Sequence, residues 1–131
     1  MNKSIKKLIG TSIITATCLI CTAIPTFASV NYYNDTTRLG GGRINNTAYT
    51  KTNETAIRYI ASGNHFSNGQ SSFNQMNSSQ LNSFFSSYPG GTAVCMSTVY
   101  GSSPTSSAYS SHEWSYPGDT ETYRTLNISI Y

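Results

Sequence analysis

Thr120–Tyr131 reads TETYRTLNISIY. Its second half alternates without a break, with Leu126, Ile128 and Ile130 against Asn127, Ser129 and Tyr131. A period of two residues marks a strand with one face on a core and the other on water. Working back from it, Pro117-Gly118-Asp119 is a turn, and Ser106–Tyr116 is the natural partner strand. Thr92–Tyr100 alternates in the same way: Val94, Met96 and Tyr100 share one face, Ala93, Cys95 and Val99 the other. Gly101–Thr105, with Pro104 in it, separates that run from the next. These three runs are expected to form a three-stranded antiparallel meander spanning residues 92–131.

Further out, Asn77–Ser87 carries the one helical pattern. Asn77 can cap it, Gln80 stands where a capping box needs a return bond, and Met76 can staple onto Leu81. Leu81, Phe84, Phe85 and Tyr88 follow the i, i+3, i+4, i+7 spacing of one apolar stripe, and Pro89-Gly90-Gly91 stops the helix. Ten or so residues are marginal as a free helix, so the stripe must dock, and the C-terminal sheet is its expected seat. Arg43–Lys51 and Glu54–Ala61 read as two strands joined by Thr52-Asn53, and are expected to pair as a hairpin. Ser62–Gln75 has no clear period and turn signals at Gly63-Asn64 and Asn68-Gly69, so it is expected to be irregular. Ser29–Gly42 is expected to be a flexible N-terminal segment, with Gly40-Gly41-Gly42 as a hinge. Those glycines are not followed by the Lys-Ser/Thr of a phosphate cradle. The sum is a mainly β, β-rich α+β domain over residues 43–131: an antiparallel sheet, small sandwich or barrel with one short helix near 78–87.

Residues 1–28 follow different rules. Lys3, Lys6 and Lys7 precede an apolar run from Leu8 to Ile24; Pro25 breaks it, and Thr26-Phe27-Ala28 ends it with small residues at the −3 and −1 positions. This is the pattern of a bacterial secretory signal peptide cleaved between Ala28 and Ser29. The run is short for a membrane span, and neither Cys18 nor Cys21 sits in a lipoprotein context. The expected product is secreted, with no stable membrane anchor.

Removal of that leader changes the bulk chemistry. The net charge of +3 belongs to its three lysines; the remaining Arg38, Arg43, Lys51, Arg58 and Arg124 balance Asp35, Glu54, Glu113, Asp119 and Glu121. A neutral, sparsely charged chain has no basic face for nucleic acid or anionic lipid. Cys95 alone survives, so no intrachain disulfide can form and the domain must rely on its core. All ten Tyr remain, among abundant Ser, Thr and Asn, a mix that favours strands and turns.

No cofactor motif is present. Cys95 with His65 or His112 is the one nucleophile–base pairing available, but on a strand face with Ala93 and Val99 the thiol reads as core filler. His112-Glu113-Trp114 resembles a piece of a zinc motif, yet it lies on a strand and lacks the second His. Glu113 is placed instead to pair across a hairpin with Arg124. Asp119 and Glu121 are too few for a calcium site. Trp114 depends on the parity of the Pro117-Gly118 turn. An even count puts Trp114, His112 and Tyr116 beside Tyr123 as an exposed aromatic platform; an odd count turns Trp114 inward with Leu126 and Ile128. Rings with polar tips stack on sugars or anchor protein partners. The candidate binding surface is therefore Trp114, Tyr116, Tyr123 and His112.

Three functions are compatible with these residues. The first is non-enzymatic binding of a cell-envelope glycan, host surface or partner protein. The second is a bacteriocin- or toxin-like effector that self-associates or acts on membranes through flat strands such as Leu126–Tyr131. The third is a small Cys/His hydrolase.

Overall fold

Alternating side chains place eight strands and one helix in a computed structural model that describes residues 29–131 and the backbone of residues 14–19. The expected signal peptide lies outside the described residues apart from that short backbone stretch. In chain order the elements are β1 (Ile14–Leu19), β2 (Val30–Gly40), β3 (Arg43–Thr52), β4 (Tyr59–Phe66), β5 (Ser71–Met76), α1 (Ser78–Ser87), β6 (Thr92–Val99), β7 (Ala108–Ser115) and β8 (Thr122–Ile128). They build two four-stranded sheets, β1-β6-β3-β2 and β5-β4-β7-β8, antiparallel throughout. The mainly β class with one short helix is thus as expected, and the architecture is two facing sheets with no closed barrel.

The pairing departs from the local reading in three places. β3 and β4 do not form a hairpin: β3 lies between β2 and β6, and β4 between β5 and β7 in the opposite sheet. The link from Thr52 to Arg58 crosses the sandwich, tightened by a bond from the Ile57 N–H to the Glu54 carbonyl. The meander reduces to its last hairpin, β7–β8, because β6 also crosses to the other sheet. Gly101 marks that crossing. A Cβ there would collide with the Ile44 backbone, so only glycine permits the approach. Finally, the stretch expected to be irregular holds the second half of β4 and all of β5, hinged at Gly69 with φ +90°.

The expected flexible segment is corrected too. Val30, Tyr32, Asn34 and Thr36 turn inward while their neighbours face solvent, and β2 pairs with β3 along its length. Gly40, Gly41 and Gly42 all take positive φ and close that hairpin instead of acting as a hinge.

The helix follows its sequence signals. The Asn77 side chain accepts from the Gln80 N–H at 3.0 Å and the Gln80 side chain accepts from the Asn77 N–H at 2.9 Å. Leu81 and Phe84 are buried with Ile57, Ile60, Met76, Ala93 and Cys95, so the stripe docks across both sheets and not on the C-terminal sheet alone. Each of the two helical side chains contributes about 2 kcal/mol by leaving water, which holds a helix too short to persist alone. A second cluster, Ile44, Phe66, Val99, Ala108, Ile128 and Ile130, closes the other end.

Between these apolar ends the interior is polar. Asn46, Thr50, Ser62, Asn64, Ser72, Asn74, Ser97, Ser110 and His112 are all buried. They satisfy one another across the sandwich. Asn46 donates to Asn64 at 2.5 Å; Asn64 donates to the Ser72 hydroxyl at 2.9 Å and the Ser97 carbonyl at 2.7 Å; Asn74 donates to the Met96 carbonyl at 2.9 Å. Buried amides and hydroxyls are tolerable only when paired in this way.

Candidate functional site

The register of β7 and β8 decides where Trp114 goes. Trp114 stands opposite Thr122 and Glu113 opposite Tyr123, so the connecting loop has an odd count. Trp114 therefore faces inward with Leu126 and Ile128, and Tyr123 lies on the other side of the sheet. The four-residue platform is divided. Tyr123 packs with Tyr59 against Ala61 and Phe73 on the outer face, and burial, then the neighbouring Tyr109 and Glu113, push its hydroxyl up to about 12. Tyr116 stays on the inner side with Trp114 against the Ile57–Leu81 cluster. Its hydroxyl donates to the Glu54 carboxylate, and that bond is the main reason its pKa rises to about 12. Glu113 is buried on the outer face, away from the exposed Arg124, so the expected Glu113–Arg124 pair does not form. Arg124 donates to the Tyr123 carbonyl at 2.8 Å.

His112 is fully buried. Its Nδ1 lies 3.0 Å from the Thr50 hydroxyl and its Nε2 lies 2.8 Å from the Ser110 hydroxyl. Burial lowers its pKa to about 4, so the ring is neutral at ordinary pH. Thr50 continues the chain, 2.8 Å from the Ser62 hydroxyl, which donates to the Cys95 carbonyl at 2.9 Å.

The residue that completes this group is Tyr32. From β2 its ring reaches across the sandwich, 5.1 Å from the His112 centroid and 5.5 Å from that of Trp114, tilted by 37° and 31°. These are favourable aromatic separations. Tyr32 and Trp114 are both half-buried. β2 and β8 are the end strands of the two sheets and meet along one flank. The result is a seam with Tyr32 and Trp114 at its surface, neutral His112 behind them, and Asn34 and Thr36 alongside. Asn34 and Thr36 are tied to the interior through Asn46, at 3.3 and 2.5 Å. Sequence reasoning missed Tyr32 because a segment ending in three glycines suggested a loose lead-in. The alternation of Val30, Tyr32, Asn34 and Thr36 was the available signal.

Cys95 is buried, and burial pushes its thiol up to about 12. Both His112 nitrogens are engaged by hydroxyls, so no thiolate–imidazole pair is assembled there. His65 bonds Ser111 at 3.0 Å and stacks on Tyr109 at 4.7 Å, beside a shallow cavity of about 290 Å³; burial lowers its pKa. Tyr33 and Tyr49 stack at 4.8 Å on the outer face of the β3 sheet, with the Lys51 ammonium 4.6 Å from the Tyr33 centroid and the Tyr33 ring still exposed. Among the described residues no three His, Cys, Asp or Glu side chains converge as a metal site, and no helix is long and apolar enough to cross a membrane. Comparison with protein-family models, with curated proteins and with solved structures returns no match.

Proposed function

We propose that the exported chain is a non-enzymatic bacterial binding protein, and that the seam of Tyr32 and Trp114 receives a neutral, hydroxyl-bearing ligand. A glycan of the cell envelope or of a host surface has the fitting chemistry. The observation that carries this reading is the His112–Tyr32–Trp114 ring series beside the meeting of β2 and β8, with Tyr32 and Trp114 half-buried. Aromatic faces stack on the C–H surfaces of sugars, and neighbouring amides and hydroxyls supply directional bonds. The balanced charge of the chain after residue 28 favours an uncharged ligand over a phosphate or sulfate.

The test is retention on immobilised envelope glycans, compared among wild type, Trp114→Ala and Tyr32→Ala. Binding is expected to fall by about ten-fold or more in each, as for truncation of an aromatic anchor, and urea denaturation identifies the conditions in which each variant is folded, since Trp114 also packs on the Ile57–Leu81 cluster. Undiminished retention in both folded variants would remove the seam from consideration. The bacteriocin-like reading has less support at Leu126–Tyr131, because Ile128 and Ile130 are buried and β8 carries Arg124.

A further inference from the structure

Strand β1 is the end strand of its sheet and covers the free side of β6, with six paired positions from Ile14↔Ser97 to Leu19↔Thr92. It also lies within the segment whose charge pattern, apolar run and small-residue terminus mark it for removal during export. Loss of residues 1–28 therefore takes β1 away and leaves β6 outermost in a sheet of order β6-β3-β2. An outermost strand presents N–H and C=O groups with no strand beside them, which is a template for another strand.

We propose that this uncovered β6 edge is the surface through which two copies of the exported chain pair, β6 against β6, antiparallel about a two-fold axis. The inference rests on leader removal and is independent of what the Tyr32–Trp114 seam binds. β6 accepts an antiparallel strand on this side, because β1 occupies it in that sense. Its sequence, TAVCMSTV, has no charge and no proline, so it lacks the devices that keep an edge solitary. The edge of β2 is different: it carries Asp35 and Arg38, and its register shifts between Arg38 and Gly40. The edge of β8 carries Arg124. A second copy is the fitting occupant because β6 has what β1 offers, an uncharged run of small and β-branched residues. Antiparallel pairing of identical strands closes as a symmetric dimer. The chain beyond residue 28 has equal numbers of acidic and basic residues, so the copies do not repel through net charge. In the precursor β1 holds the edge, which confines pairing to the exported form.

The test uses protein recovered from the medium of a bacterial host carrying the full-length gene. Intact mass locates the N-terminus, and sedimentation equilibrium from about 1 to 100 μM gives the assembly state. The expected product begins at Ser29 and dimerises. Met96→Lys, on β6, is expected to weaken the dimer by about ten-fold or more; Thr37→Lys, which adds the same charge on β2, is expected to leave it intact. Hydrogen exchange on the wild type gives a second readout that needs no variant: the Thr92–Val99 amides gain protection at the higher concentration, and those of β2 do not. A leader-free protein that stays monomeric overturns the proposal, as does exchange at β6 that ignores concentration, or equal weakening by both lysines. A retained leader overturns the export reading, and the edge proposal falls with it; intact mass tells that outcome from the others.

Discussion

Acidification bears most directly on the buried centre of the site. His112 is enclosed by the Thr50 and Ser110 hydroxyls and the ring of Tyr32, and burial holds its pKa at about 4 instead of the ordinary 6.5. The unfolded chain therefore binds a proton at higher pH than the folded one. Stability from the neutral ring is fully present above 6.5 and is lost as pH falls towards 4. For one such group the loss is about 2 kcal/mol by pH 5 and about 3 kcal/mol by pH 4. Urea denaturation at pH 7, 6, 5 and 4, on wild type and on His112→Gln, isolates the effect. Glutamine cannot take the proton, while His65 titrates alike in both proteins. The wild type is expected to lose about 2 kcal/mol more than the variant between pH 7 and pH 5. Parallel losses would refute the reasoning, because the ring would then carry its proton as easily folded as unfolded.

Two further perturbations address the interior. Asn64→Ala removes bonds to Ser72, to the Ser97 carbonyl and from Asn46, and strands buried partners; a loss of about 3 kcal/mol is expected in urea denaturation, and a loss under about 1 kcal/mol would show that these amides are dispensable. Cys95 is expected to resist iodoacetamide in the native protein and to react fully in denaturant, since its thiol is buried and its pKa is pushed up to about 12. Rapid native alkylation followed by mass spectrometry would contradict that burial and reopen thiol chemistry.

Local chemistry was legible wherever a few neighbouring residues decide the backbone. The capping box of Asn77 and Gln80, the staple of Met76 on Leu81, the turn at Gly69 and the β7–β8 hairpin all follow from sterics and bonds within a short stretch. The interior was harder to see. Ser62, Asn64, Ser72 and Asn74 point into the sandwich, where hydropathy counts them as surface residues, so β5 and half of β4 lacked an apolar period. For the site, Trp114 and His112 were visible as an aromatic and polar pair. Tyr32 was not, because its partners lie some eighty residues away in sequence.

By itself, then, the chain's alternation determined a mainly β domain with one capped helix, since strand preference and capping depend on a residue and its near neighbours. Tertiary structure decided which sheet each strand joined and which way Trp114 faced. A loop of odd length turned that ring inward, and bonds such as Asn46 to Asn64 and Thr50 to His112 link residues that meet only when the two sheets close on each other.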